Sequence, residues 1–373
     1  MSWILDESHL DDLARGAALL GTGGGGDPHV GRLLVREAIR KHGPITVLDI
    51  DDLQDDDLVI PVAQMGAPTV VTEKLPAGTE AITAFRNLEK HLGRRARATM
   101  PTECGGVNSM VPLQISASLG IPVVDADGMG RAFPELQMET FSVYGVPGSP
   151  LSLASESGES VIIDTGSDNL RMERFARAIT VQLGGVAHIA DYPMSGADVR
   201  RTAIRGTLTL AILVGRTIRE ARESNRDPIV ALAEALSTTM YRHLVVLYRG
   251  KITDVARSTD GAFVRGSARA TGLGTQSDLV IEFQNENLSA VIDGRVVALV
   301  PDLICVLEED TAEPITTESL RYGQRVTVVG ISTPEMMRTS EALAVFGPQA
   351  FGLDHEFRPV EELTRERSYS TVD

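Results

Sequence analysis

The chain changes texture near residue 243, and that change constrains its fold more than any single motif. Before it, β-type runs at 45–48, 58–63, 96–100, 122–125 and 160–164 alternate with stretches of helical periodicity. In 7–20, for example, Leu10, Leu13, Ala14, Ala17, Ala18 and Leu20 fall on one stripe. Further helices are predicted over 77–92, 110–119, 169–183, 200–225 and 228–241. Strands spaced by helices predict an α/β domain with a mostly parallel sheet covered on both faces. After residue 243, β-branched runs punctuated by glycine fill 244–248, 263–270, 277–283, 289–292, 295–300, 303–307 and 325–331. That spacing predicts a mainly β module of barrel or swivelling type. The expected organisation is therefore an α/β domain over 1–242, a β domain over 243–340, and a closing segment over 341–373 that packs back on the first domain.

Two segments carry more chemistry than structure needs. Met100-Pro101-Thr102-Glu103-Cys104-Gly105-Gly106-Val107-Asn108 and Asp125-Ala126-Asp127-Gly128-Met129-Gly130-Arg131-Ala132-Phe133-Pro134-Glu135 gather four carboxylates, an arginine and an asparagine. Neighbouring carboxylates raise each other's pKa, so that one holds a proton while another acts as base or metal ligand. Glu103 and Asp125 each follow a predicted strand, which places them at the carboxyl edge of the sheet, where such folds bind ligands. Glu103 is a candidate base or metal ligand, and Asn108 a group to hydrogen-bond a substrate amide. Asp125 and Asp127 alternate, so in extended chain both face one way and can hold a divalent metal with Glu103. Asp125 as a plain strand-end cap, and Arg131 as the ion-pair partner of an aspartate, are the structural alternatives. Glu135 anchors the loop, and Gly105 and Gly106 let backbone approach a ligand.

Gly21-Thr22-Gly23-Gly24-Gly25-Gly26 ends the first helix, and Asp27 with Pro28 starts the next as N-cap and first residue. Val30, Leu33, Leu34, Ala38 and Ile39 are expected on its inner face. No strand precedes these glycines, and no Lys-Ser/Thr follows, so neither a dinucleotide fingerprint nor a P-loop is present. What remains is a run of amides, Gly23, Gly24, Gly25 and Gly26, leading into a helix N-terminus that favours an anion or a polarised carbonyl. Met65-Gly66-Ala67-Pro68, with Glu73-Lys74 just beyond, reads either as a plain turn or as a second substrate-contacting loop at the same edge. Cys104 reads either as a nucleophile or as a small buried side chain. The seven histidines show no metal-ligand spacing.

A net charge of -16 repels phosphate backbones and anionic lipid, so nucleic acid and membrane surfaces are excluded as partners. The apolar run 208–214 lies between Arg205 and Arg216, too close for the ~20 residues of a span. With two cysteines, no basic or apolar leader and no disulfide framework, the expectation is a cytoplasmic protein.

At the Gly21-to-Pro28 loop, Met65-Gly66-Ala67-Pro68, Glu103-x-Gly105-Gly106-x-Asn108, the block from Asp125 to Met138 and Gly347-Pro348-x-Ala350-Phe351-Gly352, the chain resembles the S-methyl thiohydantoin desulfurase-like family of bacteria and archaea. The resemblance implies a two-domain protein acting on a small cyclic amide or imide of the hydantoin or thiohydantoin type. It also leaves open a non-catalytic role as partner subunit of a hydantoinase-type or oxoprolinase-type complex. The family usually carries an aliphatic residue where Cys104 stands, which points away from a thiol nucleophile. The expected chemistry is hydrolytic: Glu103 as base, the Gly23 to Gly26 amides as oxyanion donors, Asn108 as orienting amide, and Asp125 or Asp127 as acid or metal ligand. No cofactor is required beyond that optional divalent metal, and a homo-oligomer is expected.

Overall fold

The computed structural model describes residues 2–66, 70, 74, 76–260, 263–273 and 277–369. Ala67, Pro68 and Glu73 of the predicted turn segment lie outside them.

The first sheet is built from β1 (Trp3–Leu5), β2 (Ile45–Leu48), β3 (Leu58–Gly66), β4 (Ala98–Pro101), β5 (Val123–Val124), β7 (Leu151–Ala154), β8 (Ser160–Ile163), β9 (Val186–Ala190) and β10 (Met194–Ser195). β6 (Ala126–Asp127) and β11 (Ile204–Arg205) form a separate two-stranded ribbon. The strand order is β1-β2-β5-β4-β3-β9-β7-β8, with β10 also on β3. The sheet is mixed: β2, β5, β4 and β3 run parallel, and the strands flanking them pair antiparallel. Glu80–Leu92 and Val111–Leu119 make the crossovers between the parallel strands, so the loops after β3 and β4 open at one edge.

Most predicted helices form with shifted ends. Asp27 caps Pro28–His42 by accepting the His29 N–H at 2.9 Å. The face of this helix differs from expectation: Gly31, Val35 and Ile39 are buried, whereas Val30 is 50 % exposed and Leu33 stands in solvent. Gly31 turns inward because the helix packs closely on Met110 and Val107, where even a methyl would sit at 2.9 Å. The predicted helix over 200–225 is two helices, Gly196–Thr202 and Thr207–Glu223, divided by β11, which pairs with β6. The second of these, containing the 208–214 apolar run, packs against Leu10–Leu20. Gly16 faces the Ala211 carbonyl and Gly215 that of Asp12, each too close for a Cβ. Among the described residues, no helix is long and apolar enough to cross a membrane.

The second module is one antiparallel sheet of seven strands, order β16-β15-β14-β13-β12-β18-β17. These are β12 (Leu244–Asp260), β13 (Phe263–Gly272), β14 (Asp278–Gln284), β15 (Glu286–Ile292), β16 (Arg295–Leu299), β17 (Leu303–Glu308) and β18 (Arg325–Ile331). β12 extends well past the predicted 244–248 and pairs with β18 along its first part and β13 along its second, which curls the sheet into a half-barrel. The closing segment divides its contacts. Phe346 stacks on Phe133 of the first domain at 4.8 Å, whereas Val360 joins the core of the β module.

Backbone pairing joins the modules at the glycine loop. Thr22 O accepts from Asn287 N at 2.9 Å, Gly23 O from Thr317 N at 2.7 Å, and the Thr22 hydroxyl bridges both backbone groups of Ile304.

Candidate functional site

At the carboxyl ends of β3 and β4 lies a cleft of about 630 Å3. Gly25, Gly26, Met65, Gly66, Glu103, Asn108 and Glu135 line it, together with Gln64, Arg177, Asn285 and Glu286. The glycine loop and the Glu103 segment thus converge, and the β module closes the cleft with Glu286.

Glu103 leaves β4 by two residues and is only 4 % exposed. Its Oε1 accepts from Asn108 Nδ2 at 2.6 Å, the Phe133 amide also favours the ionised carboxyl, and Oε2 has no partner among the described residues. Burial, and then the nearby Glu286 charge, hold its pKa well above the usual carboxylate value, against the Asn108 bond. Glu286, 3 % exposed, also has an unpartnered oxygen, Oε2. Desolvation pushes its carboxyl up to about 8, opposed by Arg131 and by hydrogen bonds from its own and the Gly25 amide. Two buried acids from two modules therefore compete for protons in one cleft.

Asn108 spends its side-chain amide on the protein. Its Oδ1 accepts Gln64 N at 2.6 Å, and its Nδ2 donates to Gln64 O at 3.2 Å as well as to Glu103. It orients the carboxyl and fixes the end of β3. The Gln64 side-chain Oε1, at the cleft wall, has no partner.

The glycines divide by role. Gly24 N bonds Gly21 O, and Gly23 and Gly24 press on Asn287 and Glu286, so neither lines the cleft. Gly25 donates to Glu286, leaving Gly26 as the other loop residue at the cleft wall. Gly105 and Gly106 also stand back from it. Gly106, at φ 61°, lies against the Gly25 carbonyl where a Cβ would sit at 2.2 Å, so these glycines serve the contact between the two loops. Asp27 caps its helix and faces a neighbouring cavity.

The aspartates do not point the same way. Asp125 caps Thr207–Glu223, its Oδ1 accepting Leu208 N at 2.9 Å and Thr209 N at 3.1 Å, and its Oδ2 the Thr209 hydroxyl at 2.5 Å. Asp127 Oδ2 accepts the amides of Cys104, Met129 and Gly130, tying the Glu103 loop to the next segment, and burial raises its pKa to about 6. Neither lines the cleft with Glu103. Among the described residues, no three His, Cys, Asp or Glu side chains form a group able to hold a metal ion. Arg131 is fully buried and, among the described residues, pairs with no aspartate carboxylate. It stacks over Phe133 and donates to the carbonyls of Asn287, Pro301 and Asp302, and burial lowers its pKa to about 10. Cys104 is fully buried, and desolvation with the Asp127 and Glu103 charges raises its pKa well above the usual thiol value. A thiolate is disfavoured there.

Sequence reasoning did not find Glu286. Its signal was the run Gln284-Asn285-Glu286-Asn287 between apolar strands, which resembles an ordinary hairpin turn. All four residues are buried. Behind the cleft, Glu139 has neither carboxyl oxygen partnered, and Asp191, raised to about 8 by burial, has one unpartnered.

Residues 8–165 match the N-terminal domain, and residues 167–360 the C-terminal domain, of the family described as S-Me-THD-like. The chain belongs to this family. The meeting point of the two S-Me-THD-like domains falls between β8 and the Asn169–Gln182 helix. A crystal structure of a protein from Chromobacterium violaceum is similar over 96 % of this chain and 100 % of that one, with 26 % identity and a TM-score of 0.81. No curated protein matches the chain.

Proposed function

We propose that the chain is a hydrolytic enzyme that removes the sulfur substituent from a small S-alkylated thiohydantoin. The observation that carries this reading is the pair Glu103 and Glu286, two buried carboxyls on one cleft, each with an oxygen that has no partner among the described residues. Membership of the S-Me-THD-like family supports a thiohydantoin-type substrate.

Glu286 is assigned as the base because the buried Arg131 charge favours its ionised form, and Glu103 as the member that keeps its proton because the Glu286 charge opposes its ionisation. This reverses the role expected for Glu103. Glu286 takes a proton from water as the oxygen attacks the ring carbon bearing sulfur, and the electron pair moves onto ring nitrogen. Glu103 then protonates the departing sulfur as the C–S bond breaks. The added oxygen becomes a ring carbonyl, its remaining proton moves to nitrogen, and the products are a hydantoin and a thiol. Passing one proton from Glu286 to Glu103 resets the pair. Gly26 and the Gln64 side-chain amide stand at the cleft wall to meet ring carbonyl and N–H groups.

The test is release of methanethiol from an S-methyl thiohydantoin, followed with a chromogenic thiol reagent. Glu103→Gln and Glu286→Gln are expected to lower kcat by roughly 10²- to 10⁴-fold while circular dichroism stays unchanged. Full activity in either variant overturns the assignment of that residue. Ring binding without turnover by the wild-type chain overturns the enzymatic reading in favour of a binding subunit.

A further inference from the structure

Beside the cleft lies a second cavity, and the two share Gln64 and Val107 as lining residues. Its character is the opposite of the cleft's. Val30 and Leu34 from one helix, Met110 and Val111 at the start of Val111–Leu119, and Val186 and Ala187 from β9 supply aliphatic walls. The periodicity placed both Val30 and Leu34 in the core; Val30 is instead 50 % exposed and Leu34 half-buried at this cavity.

Most polar groups around this cavity are engaged with the protein, Gln64 Oε1 excepted. Lys74 pairs with Glu156, Gln114 donates to Gly78 O at 2.8 Å, Glu80 accepts Ala77 N at 2.7 Å, and Asp27 caps its helix. His188 lines the wall, and burial holds its imidazole pKa below the ordinary value against the pull of Glu80 and Glu156, so the ring is neutral at pH 7. A cavity with aliphatic walls and self-paired polar groups gains from apolar contact. A carboxylate entering it would be desolvated and would face Asp27, Glu80 and Glu156, while Lys74 of the same wall is already paired with Glu156.

Resting on the reading of the cleft as the ring site, we infer that this second cavity receives the side chain of the ring, and that the preferred substrate carries an uncharged aliphatic chain. Gln64 and Val107 line both spaces, so the two are immediate neighbours, and the side chain of a ring bound in the cleft must pass between them. Polar recognition of the ring thus falls to the cleft, and selection of the side chain to the cavity.

The experiment is calorimetric titration of the wild-type chain with hydantoins bearing no side chain, methyl, butyl, hexyl, or a butyl chain ending in carboxylate. Affinity is expected to rise about fourfold per methylene through butyl and to be lost for the carboxylate. Val30→Trp and Leu34→Trp, at positions not in the core, fill the cavity. Each is expected to erase the gain while leaving the unsubstituted ring's affinity unchanged. A flat series with the ring still bound overturns this inference alone, as does a gain that survives both tryptophans. Failure of every hydantoin to bind overturns the reading of the cleft, and this inference with it.

Discussion

Asn108 Nδ2 donates to Glu103 Oε1 at 2.6 Å while the same amide clamps the backbone of Gln64, so one side chain sets both an acid and the strand end beside it. Asn108→Ala removes an oriented donor and leaves the Gln64 amide and carbonyl unpaired. A loss of about 1–3 kcal/mol is expected in urea unfolding. Turnover is expected to fall ~10- to 100-fold, and the acidic group seen in the pH–rate profile to shift upward, because the Asn108 bond favours ionised Glu103. An unchanged pH profile removes Asn108 from the positioning of Glu103.

Stability should fall as pH rises through neutrality. Glu286 and Asp191 have folded-state pKa values raised to about 8, so the folded chain holds protons that the unfolded chain releases. Their contribution is complete below the ordinary carboxylate range and is lost as pH rises to about 8. His188 acts in the opposite sense. Its lowered pKa makes the unfolded chain the better proton acceptor below about 6.5, so its contribution rises with pH there. The clean interval is therefore pH 7 to 8. Across it the urea midpoint of the wild type is expected to decline, and that of Glu286→Gln to decline less. A midpoint that rises over this interval contradicts the assigned burial of these acids.

The parts of this arrangement legible in the sequence are those fixed by local chemistry. Asp27 and Pro28 announce a helix start, and Glu103 is visible because it follows a strand into a glycine turn. Glu286 was not legible, because nothing local distinguishes a hairpin acid in solvent from one buried against another module. Its burial depends on the pairing of Thr22, in the first module, with Ile304 and Asn287 in the second. The break between Thr202 and Thr207 was hidden for the same reason, since β11 exists only by pairing with β6. Val30 and Leu34 misled because their periodicity marks an apolar face without saying whether core or cavity meets it.

Asp125 tests whether proximity in sequence to a site implies a role in it. Its three accepted hydrogen bonds satisfy the start of Thr207–Glu223, the helix that packs on Leu10–Leu20. Asp125→Ala is expected to cost roughly 1–2 kcal/mol, as for loss of a strong N-cap, with kcat within about threefold of wild type at a temperature where the variant is folded. A large fall in kcat without loss of stability would return Asp125 to the catalytic group.

Arg131 joins the modules with its charge wholly buried. Its guanidinium reaches the carbonyls of Asn287, Pro301 and Asp302, and Asn287 is the immediate neighbour of Glu286. Arg131→Met retains the apolar stem and removes the donors, so three buried carbonyls lose a partner and Glu286 loses the positive charge that lowers its pKa. The variant is expected to lose about 3–5 kcal/mol, the range for breaking a buried charged contact. Hydrogen exchange should increase first at β15 and at the glycine loop, before the α/β sheet opens. The basic group in the pH–rate profile should shift above about 8, because Glu286 would then be harder to ionise. Uniform exchange across both modules with an unshifted profile would show that Arg131 supports general stability and does not hold Glu286 against the cleft.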